Sequence, residues 1–410
     1  MFDVKKVRQD FAMFRSNSKM QGQPLVFLDN ASTTFKPDIV VKEINKYLQE
    51  ETSNSHRGDY DLCYNVDVKV ATTRKNVAKF INANENEIVF TSGTTMSLNM
   101  VAFGYAFKYL NKGDEILLSY EEHASNLLPW FKLQELKGVV IKYVPLDKEG
   151  RITLDNVKSQ ISDKTKLISL AHISNVLGYK IDIKGICEYA HKKGIVVSLD
   201  GAQSVPHIKV DVKDLDVDFM SFSAHKMCGP TGIGVLYGKA ELLEKMDPTF
   251  LGGGMNINFY TNGTYKCLPA PAKFEAGTLN LEGIYGLDAA VKYLSSLGMD
   301  NIENHEKELR EYAIKEMAKV PNVVIYNKNA ESGIITFNIK GVFAQDLATY
   351  LNSKGLALRS GQHCAKILPA FLGELATVRA SFYFYTTKED IDALVKALMK
   401  GGDFLDAYFA

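Results

Sequence analysis

A lysine set among apolar residues loses hydration, its pKa falls, and its amine becomes free for Schiff-base chemistry. Lys226 has that setting: it follows DFMSF and Ser223-Ala224-His225 and precedes Cys228-Gly229-Pro230-Thr231-Gly232, where glycines allow tight turns beside a bound group. An exposed structural lysine is the ordinary alternative. Asp200 closes the apolar run IVVSLD, with Gln203 three residues on. A carboxylate there is costly to desolvate unless it meets a cation or hydrogen-bond donors, and a protonated pyridine nitrogen would serve; turn formation is the competing explanation. His123, in EEHASN after the run EILLSY, could stack on a flat ring or simply sit at a loop–helix junction. Thr94 and Thr95, in SGTT after EIVF, could add hydroxyls to a helix N-terminus that attracts a phosphate, or merely cap the helix.

Two segments nearer the C-terminus add different chemistry. RSGQHCAK places the Cys364 thiol beside His363 and near the cations Arg359 and Lys366, a setting that favours the thiolate. Arg379, in TVRASFYFY, opens an apolar run; a buried arginine is expensive unless its fork meets a carboxylate. An anion cradle, a ring stacker, an acid for a ring nitrogen, a Schiff-base lysine, a carboxylate clamp and a thiol together describe a pyridoxal phosphate (PLP) site acting on an amino acid.

Such residues need a scaffold that gathers them. From about residue 86 to 237, short apolar runs alternate with helical patterns. That rhythm predicts a mostly parallel sheet covered by helices, and in such sheets ligands collect at the carboxyl ends of the strands. The polar residues singled out above follow those strands. Helices are expected at 284–297 and 302–320, then the strands NVVIY and GIITFNIK, a helix at AQDLATYLNSKG, strands at ALRSG and RASFYFYTT, and a last helix at KEDIDALVKALMK. The reading is an N-terminal segment (1–24) packing on the small domain, a large α/β cofactor domain (25–283) and a small α+β domain (284–410) carrying the cysteine loop.

With 410 residues, 46% of them apolar, the chain is long enough for a large core and a second smaller one. Lys plus Arg equals Asp plus Glu at 48 each, so nucleic acid and anionic membranes are not expected partners. No apolar stretch is long enough to cross a bilayer, and MFDVKKVRQDFAMF lacks the apolar core of a signal peptide, reading instead as a short amphipathic helix. A cytoplasmic location is the expectation. The five cysteines, 63, 187, 228, 267 and 364, form no CxxC pair, so neither a metal site nor a disulfide framework is expected.

The segments FLDNASTTFKP, NSHRG, VFTSGTT, EEHASNLLPW, HISNVLG, SLDGAQSVPH, FSAHKMCGPTGIGVLYG, FEAGTLN, LRSGQHCA and TVRASFYFYTTKEDID span about residues 25–395. They resemble the class V aminotransferase family of fold-type-I PLP enzymes, and within it the SufS-like cysteine desulfurases. The resemblance implies that Lys226 carries PLP and later removes the substrate α-proton, that Asp200 pairs with the pyridine nitrogen, that Gln203 faces the ring hydroxyl and that His123 stacks on the ring and can shuttle a proton. It implies phosphate ligands at Thr94, Thr95, Ser223 and His225, with Thr278 reaching the phosphate from the partner subunit of a homodimer. Asn175 and Arg379 hold the substrate, Arg359 lies beside it, and Cys364 takes the sulfur of L-cysteine as a persulfide. An acceptor protein, SufE-like or SufU-like, then receives the sulfur for iron–sulfur cluster assembly. A selenocysteine lyase, or another class V enzyme, is the alternative on the same scaffold. Gln362, Ala224, Leu279 and Thr386 depart from the residues common in that family, and none removes a catalytic group.

Overall fold

The computed structural model of the chain describes residues 3–55 and 58–400. His56 and Arg57 of the NSHRG segment, the first two residues and the last ten lie outside that description.

Seven strands build the main sheet: β1 (Ile88–Thr91), β2 (Glu115–Ser119), β3 (Val140–Val144), β4 (Thr165–Ala171), β5 (Val196–Asp200), β6 (Phe219–Ser223) and β7 (Gly234–Gly238). Their spatial order is β1-β7-β6-β5-β4-β2-β3. The pairs among β2 to β6 are parallel, whereas β7 runs antiparallel to both β6 and β1. Central strands are buried on both faces, which is why IVVSLD and DFMSFS read as continuous apolar runs without alternation. Parallel neighbours need crossovers, supplied by helices Leu128–Lys137, Leu154–Gln160 and Ile183–His191. Local chemistry sets their limits. Thr153 and Asp182 accept from the exposed amides of the first turns of the second and third of these, and Gly138, left-handed, ends the first.

A second, fully antiparallel sheet carries β8 (Val323–Ile325), β9 (Ile334–Ile339), β10 (Arg359–Gly361) and β11 (Thr377–Ser381) in the order β8-β9-β11-β10. Its own apolar core lies between this sheet and the helices Met299–Met317, Ala344–Ser353 and Lys388–Met399. Val26–Phe27 pairs in parallel with Leu356–Ala357, and Leu28 is buried in this second core.

Several elements differ from the sequence reading. The N-terminal helix is two short ones, Val4–Arg8 and Ala12–Arg15. Phe11 between them is extended because its fully buried ring packs against Phe14, Tyr293, Phe384 and Tyr385. The strand expected over 379–387 stops at Ser381. Beyond it the backbone turns, with Thr386 N donating to the Tyr383 carbonyl at 2.8 Å, and the buried aromatic run leaves the apolar core of the second sheet for that of the main sheet. Helix Leu281–Leu297 begins near the expected domain change, yet it packs on Asp38–Glu50 and Asp61–Phe80 within the large core. A hairpin of Asn256–Phe259 and Tyr265–Cys267, with Phe259, Tyr260 and Tyr265 exposed, had no counterpart in the sequence reading.

Candidate active site

The carboxyl ends of the central strands open onto one cleft of about 230 Å³. Thr94 and Thr95 reach it after β1, His123 after β2, Asn175 after β4, Asp200 and Gln203 after β5, and Ser223, His225 and Lys226 after β6. Arg359 and Arg379 close the other wall, as directly opposed cross-strand partners on β10 and β11. The cleft therefore lies between the two sheets, and neither could form it alone.

Its floor is a carboxylate and an amine. Asp200 is buried at the end of β5, with one oxygen accepting from Ala202 N at 2.9 Å. Burial raises its pKa, while that amide and the charge of Lys226 oppose the rise. Lys226 sits in the single turn that follows β6. Burial pulls its pKa down to about 8; Asp200 opposes the fall, and Arg379 and Arg359 add to it. The lysine is thus held close to the balance between ammonium and free amine. His123 is pushed to about 4 by burial first, then by the cations Lys226, Arg359 and Arg379, so its ring is neutral. Its Nδ1 accepts from Ser125 N at 3.1 Å, which leaves Nε2 as the nitrogen carrying hydrogen.

One end of the cleft is a cluster of hydroxyls. Ser223 Oγ meets both the amide and the Oγ1 of Thr94 at 2.7 Å, and Thr95 Oγ1 meets Ser125 Oγ at 2.8 Å. Gly93 permits this approach. Its φ of 150° is open only to glycine, and a Cβ there would stand 3.1 Å from Ser223 Oγ.

At the opposite wall the Arg379 guanidinium is buried and both of its terminal nitrogens are engaged. One terminal nitrogen donates to the Asn175 carbonyl at 2.8 Å; the other donates to Asp29 Oδ1 and Ser32 Oγ, both at 2.9 Å. Arg359 donates to Cys364 Sγ at 3.0 Å. The thiol is held there by a constrained turn. His363 and Cys364 have φ of 51° and 61°, left-handed values that L-residues seldom adopt. Three hydrogen bonds tie the turn down: Ala124 N to the Cys364 carbonyl at 2.8 Å, Asn175 Nδ2 to the His363 carbonyl at 2.8 Å, and His363 Nε2 with Thr377 Oγ1 at 2.9 Å. Two expected site residues do not line the cleft: Cys364, which lies against Arg359 of its wall, and Thr278, expected to act on a partner's site, which is exposed beyond Gly277.

This donor set fits PLP. A buried carboxylate suits a ring nitrogen, a neutral imidazole suits a ring face, hydroxyls and amides suit a phosphate, and Lys226 suits an aldehyde carbon. Two buried polar atoms lining the cleft, Gln203 Oε1 and Arg379 Nε, have no partner among the described residues and so remain available to a ligand.

The family model for class-V aminotransferases matches residues 26–394. The chain belongs to that family. A protein of Halalkalibacterium halodurans named "Probable cysteine desulfurase" is 44% identical over 396 residues, covering 96% of this chain and 97% of that one. One of the same name from Staphylococcus epidermidis is 43% identical over 411 residues, covering 100% and 99%. Among solved structures, a cysteine desulfurase of Escherichia coli superposes with a TM-score of 0.90 at 38% identity over 97% of this chain and 98% of that one. The apo cysteine desulfurase of Thermococcus onnurineus gives 0.92 at 34% identity over 98% of each. The architecture is that of the fold-type-I enzymes.

Within this family frame, several residues to which the sequence assigned no role come from one segment. Asp29 and Ser32 orient Arg379, and the Ala31 carbonyl accepts from Gln203 Nε2 at 2.7 Å. FLDNASTTFKP lies far from β11 in sequence, and its polar residues have no spacing that announces a partner 350 positions away.

Proposed function

We propose that this chain is a PLP-dependent cysteine desulfurase that converts L-cysteine to L-alanine and passes the sulfur, as a persulfide on Cys364, to an acceptor protein serving iron–sulfur cluster assembly. The observation that carries it is a thiol held 3.0 Å from a guanidinium, on a pinned turn beside a cleft that holds both Lys226 and the carboxylate clamp Arg379. A transaminase has no use for that thiol.

When bound, PLP supplies an electron sink for the bond broken at the substrate α-carbon. Lys226 would hold it and, as a free amine, would be the base that takes the α-proton; a pKa near 8 suits that task. Asp200 would keep the ring nitrogen protonated, Gln203 would face the ring hydroxyl, and Thr94, Thr95, Ser223 and His225 would hold the phosphate. Arg379 and Asn175 fix the substrate carboxylate and so aim the α-hydrogen and sulfur. The Cys364 thiolate attacks the substrate sulfur. The new S–S bond forms as the S–C bond breaks; the electron pair passes to the substrate β-carbon, which takes a proton to become the methyl group, and a second proton returned to the α-carbon releases alanine. His123 would move a proton in that step, and Arg359, 3.0 Å from Cys364 Sγ, would steady the sulfur anion.

The reading includes a homodimer in which Thr278 reaches the partner's phosphate site, a cytoplasmic location, and an acceptor of SufE-like or SufU-like type. It also takes 25–283 as the large domain, 284–410 as the small one, with helix Leu281–Leu297 given to the large side because it packs there, and 1–24 as a segment packed on the small domain. The ion pair of Arg8 with Asp390 at 2.7 Å supports the last of these. Among the described residues no helix is long and apolar enough to cross a membrane. The test is alanine and sulfide release from L-cysteine with a reductant present. The intact protein should make both and Cys364→Ala neither; sulfide at an unchanged rate from the variant would refute the role of Cys364.

A further inference from the structure

One peptide carbonyl next to the cofactor lysine collects an unusual number of donors. The His225 carbonyl, in the peptide bond to Lys226, accepts from Thr34 N at 3.0 Å, Thr33 Oγ1 at 3.0 Å, Thr34 Oγ1 at 3.2 Å and Lys36 Nζ at 3.4 Å. Lys36 Nζ also donates to Thr33 Oγ1 at 3.2 Å and to the Thr34 carbonyl. Thr34 Oγ1 in turn accepts from Cys228 N at 2.9 Å, so both sides of Lys226 are tied to the same loop.

Lys36 is an odd choice for this place. It is half-buried, and burial pushes its pKa down. Among the described residues it forms no ion pair; its ammonium spends its hydrogens on carbonyl and hydroxyl oxygens. A desolvated cation without a carboxylate costs stability, and such costs are retained where a group's position matters to function. A neutral side chain could fill the space, but it would not bring several charge-assisted donors to the backbone of Lys226.

We propose that Lys36 is a positioning residue for Lys226: by bridging the 33–34 turn to the His225 carbonyl, it fixes the backbone from which the lysine must both carry the cofactor and reach the substrate α-hydrogen. The proposal rests on Lys226 being the cofactor lysine and base. The same loop holds Arg379 through Asp29 and Ser32, so the lysine and the carboxylate clamp are referenced to one segment, Asp29–Lys36. Proton removal depends on the mutual placement of those two groups to a fraction of an ångström. Lys36 meets His225 only at its backbone carbonyl, 3.4 Å from Nζ, and bonds no side chain assigned to the phosphate or the ring, so PLP content should survive its loss.

The experiment compares purified holoenzymes of the intact chain, Lys36→Met and Lys36→Arg. Expected for Lys36→Met are full PLP stoichiometry, an altered circular dichroism of the visible cofactor band and kcat lowered about tenfold with KM for L-cysteine little changed. The decisive readout is the isotope effect with α-deuterated L-cysteine, which should rise in Lys36→Met because proton removal becomes slower, and return towards the intact value in Lys36→Arg. A merely structural lysine would lower Tm and leave both the isotope effect and the cofactor dichroism as they were, and that result overturns the proposal. If Lys36→Met does not fold, Lys36→Gln, which keeps a shorter neutral donor, gives the same comparison. Failure of the underlying reading is separate: the intact protein would then form no alanine from L-cysteine.

Discussion

Arg379 shows how one side chain can be read from sequence as a type and from structure as a device. A buried guanidinium was expected to bind a carboxylate; in the fold it already has one, Asp29, at 2.9 Å. Asp29 and the Asn175 carbonyl hold the fork in plane, and Nε has no protein partner. Lysine at this position keeps the charge and loses the fork. Arg379→Lys should therefore raise KM for L-cysteine about tenfold to a hundredfold, with a smaller effect on kcat, measured by steady-state alanine formation. Glu121 is a residue whose neighbours in sequence gave no warning. It is fully buried, neither carboxylate oxygen has a well-formed hydrogen bond among the described residues, and burial followed by the charge of Glu122 raises its pKa to about 8, opposed only by the nearby Ser174 hydroxyl. The folded chain keeps this proton to higher pH than the unfolded chain does. Stability contributed by the bound proton is complete below the ordinary value of 4.5 and is lost as pH rises towards about 8. Glu121→Gln should flatten that fall. Melting temperatures at about pH 6 and about pH 8 should differ by several degrees more in the intact chain than in the variant; an equal difference would show that the carboxyl does not titrate there.

At the scale of elements, the strand ends were legible because parallel strands leave continuous apolar runs with polar residues after them. EIVFTSG, IVVSLDGAQ and DFMSFSAHK fell on β1, β5 and β6, and the cleft is lined by Thr94 and Thr95 just after the first, by Asp200 and Gln203 of the second and by Ser223, His225 and Lys226 of the third. The edges of the fold were less legible. RASFYFYTT has the composition of a long strand, but Tyr383 donates to the Pro206 carbonyl and Tyr385 to Asn30 Oδ1, and tertiary packing of those rings overrides β-propensity. The exposed hairpin at 256–267 lacks the alternation that marks a half-buried strand, since most of its residues face outward. The turn from β1 into Thr94–Met100 is an element whose geometry rests on one glycine. Gly93→Ala should cost about 1–3 kcal/mol and displace Ser223 Oγ, lowering Tm and weakening PLP retention together. Calorimetry and cofactor release on gel filtration would check both; unchanged retention would show that Ser223 is not part of the phosphate cradle.

Across the whole molecule, the site is a product of two sheets meeting. Lys226, Asp200 and His123 come from one, and Arg359, Arg379 and the cysteine turn come from the other. The sequence held each group in a recognisable local setting, so the inventory of chemistry was readable residue by residue. What joins them was not, because it consists of long-range contacts made by inconspicuous residues: Asp29 and Ser32 on Arg379, Thr34 and Lys36 on the His225 carbonyl, and Ala124 N on the Cys364 carbonyl. These side chains and amides carry no pattern in sequence, and only the closed fold brings them together.

The most direct test of the central claim is to add L-cysteine to the holoenzyme without reductant or acceptor and locate sulfur by peptide mass spectrometry. One extra sulfur atom on the peptide containing Cys364, appearing together with about one equivalent of alanine, is the result this mechanism requires. Alanine formed with Cys364 unmodified, or sulfur carried on Cys63, Cys187, Cys228 or Cys267 instead, would contradict it.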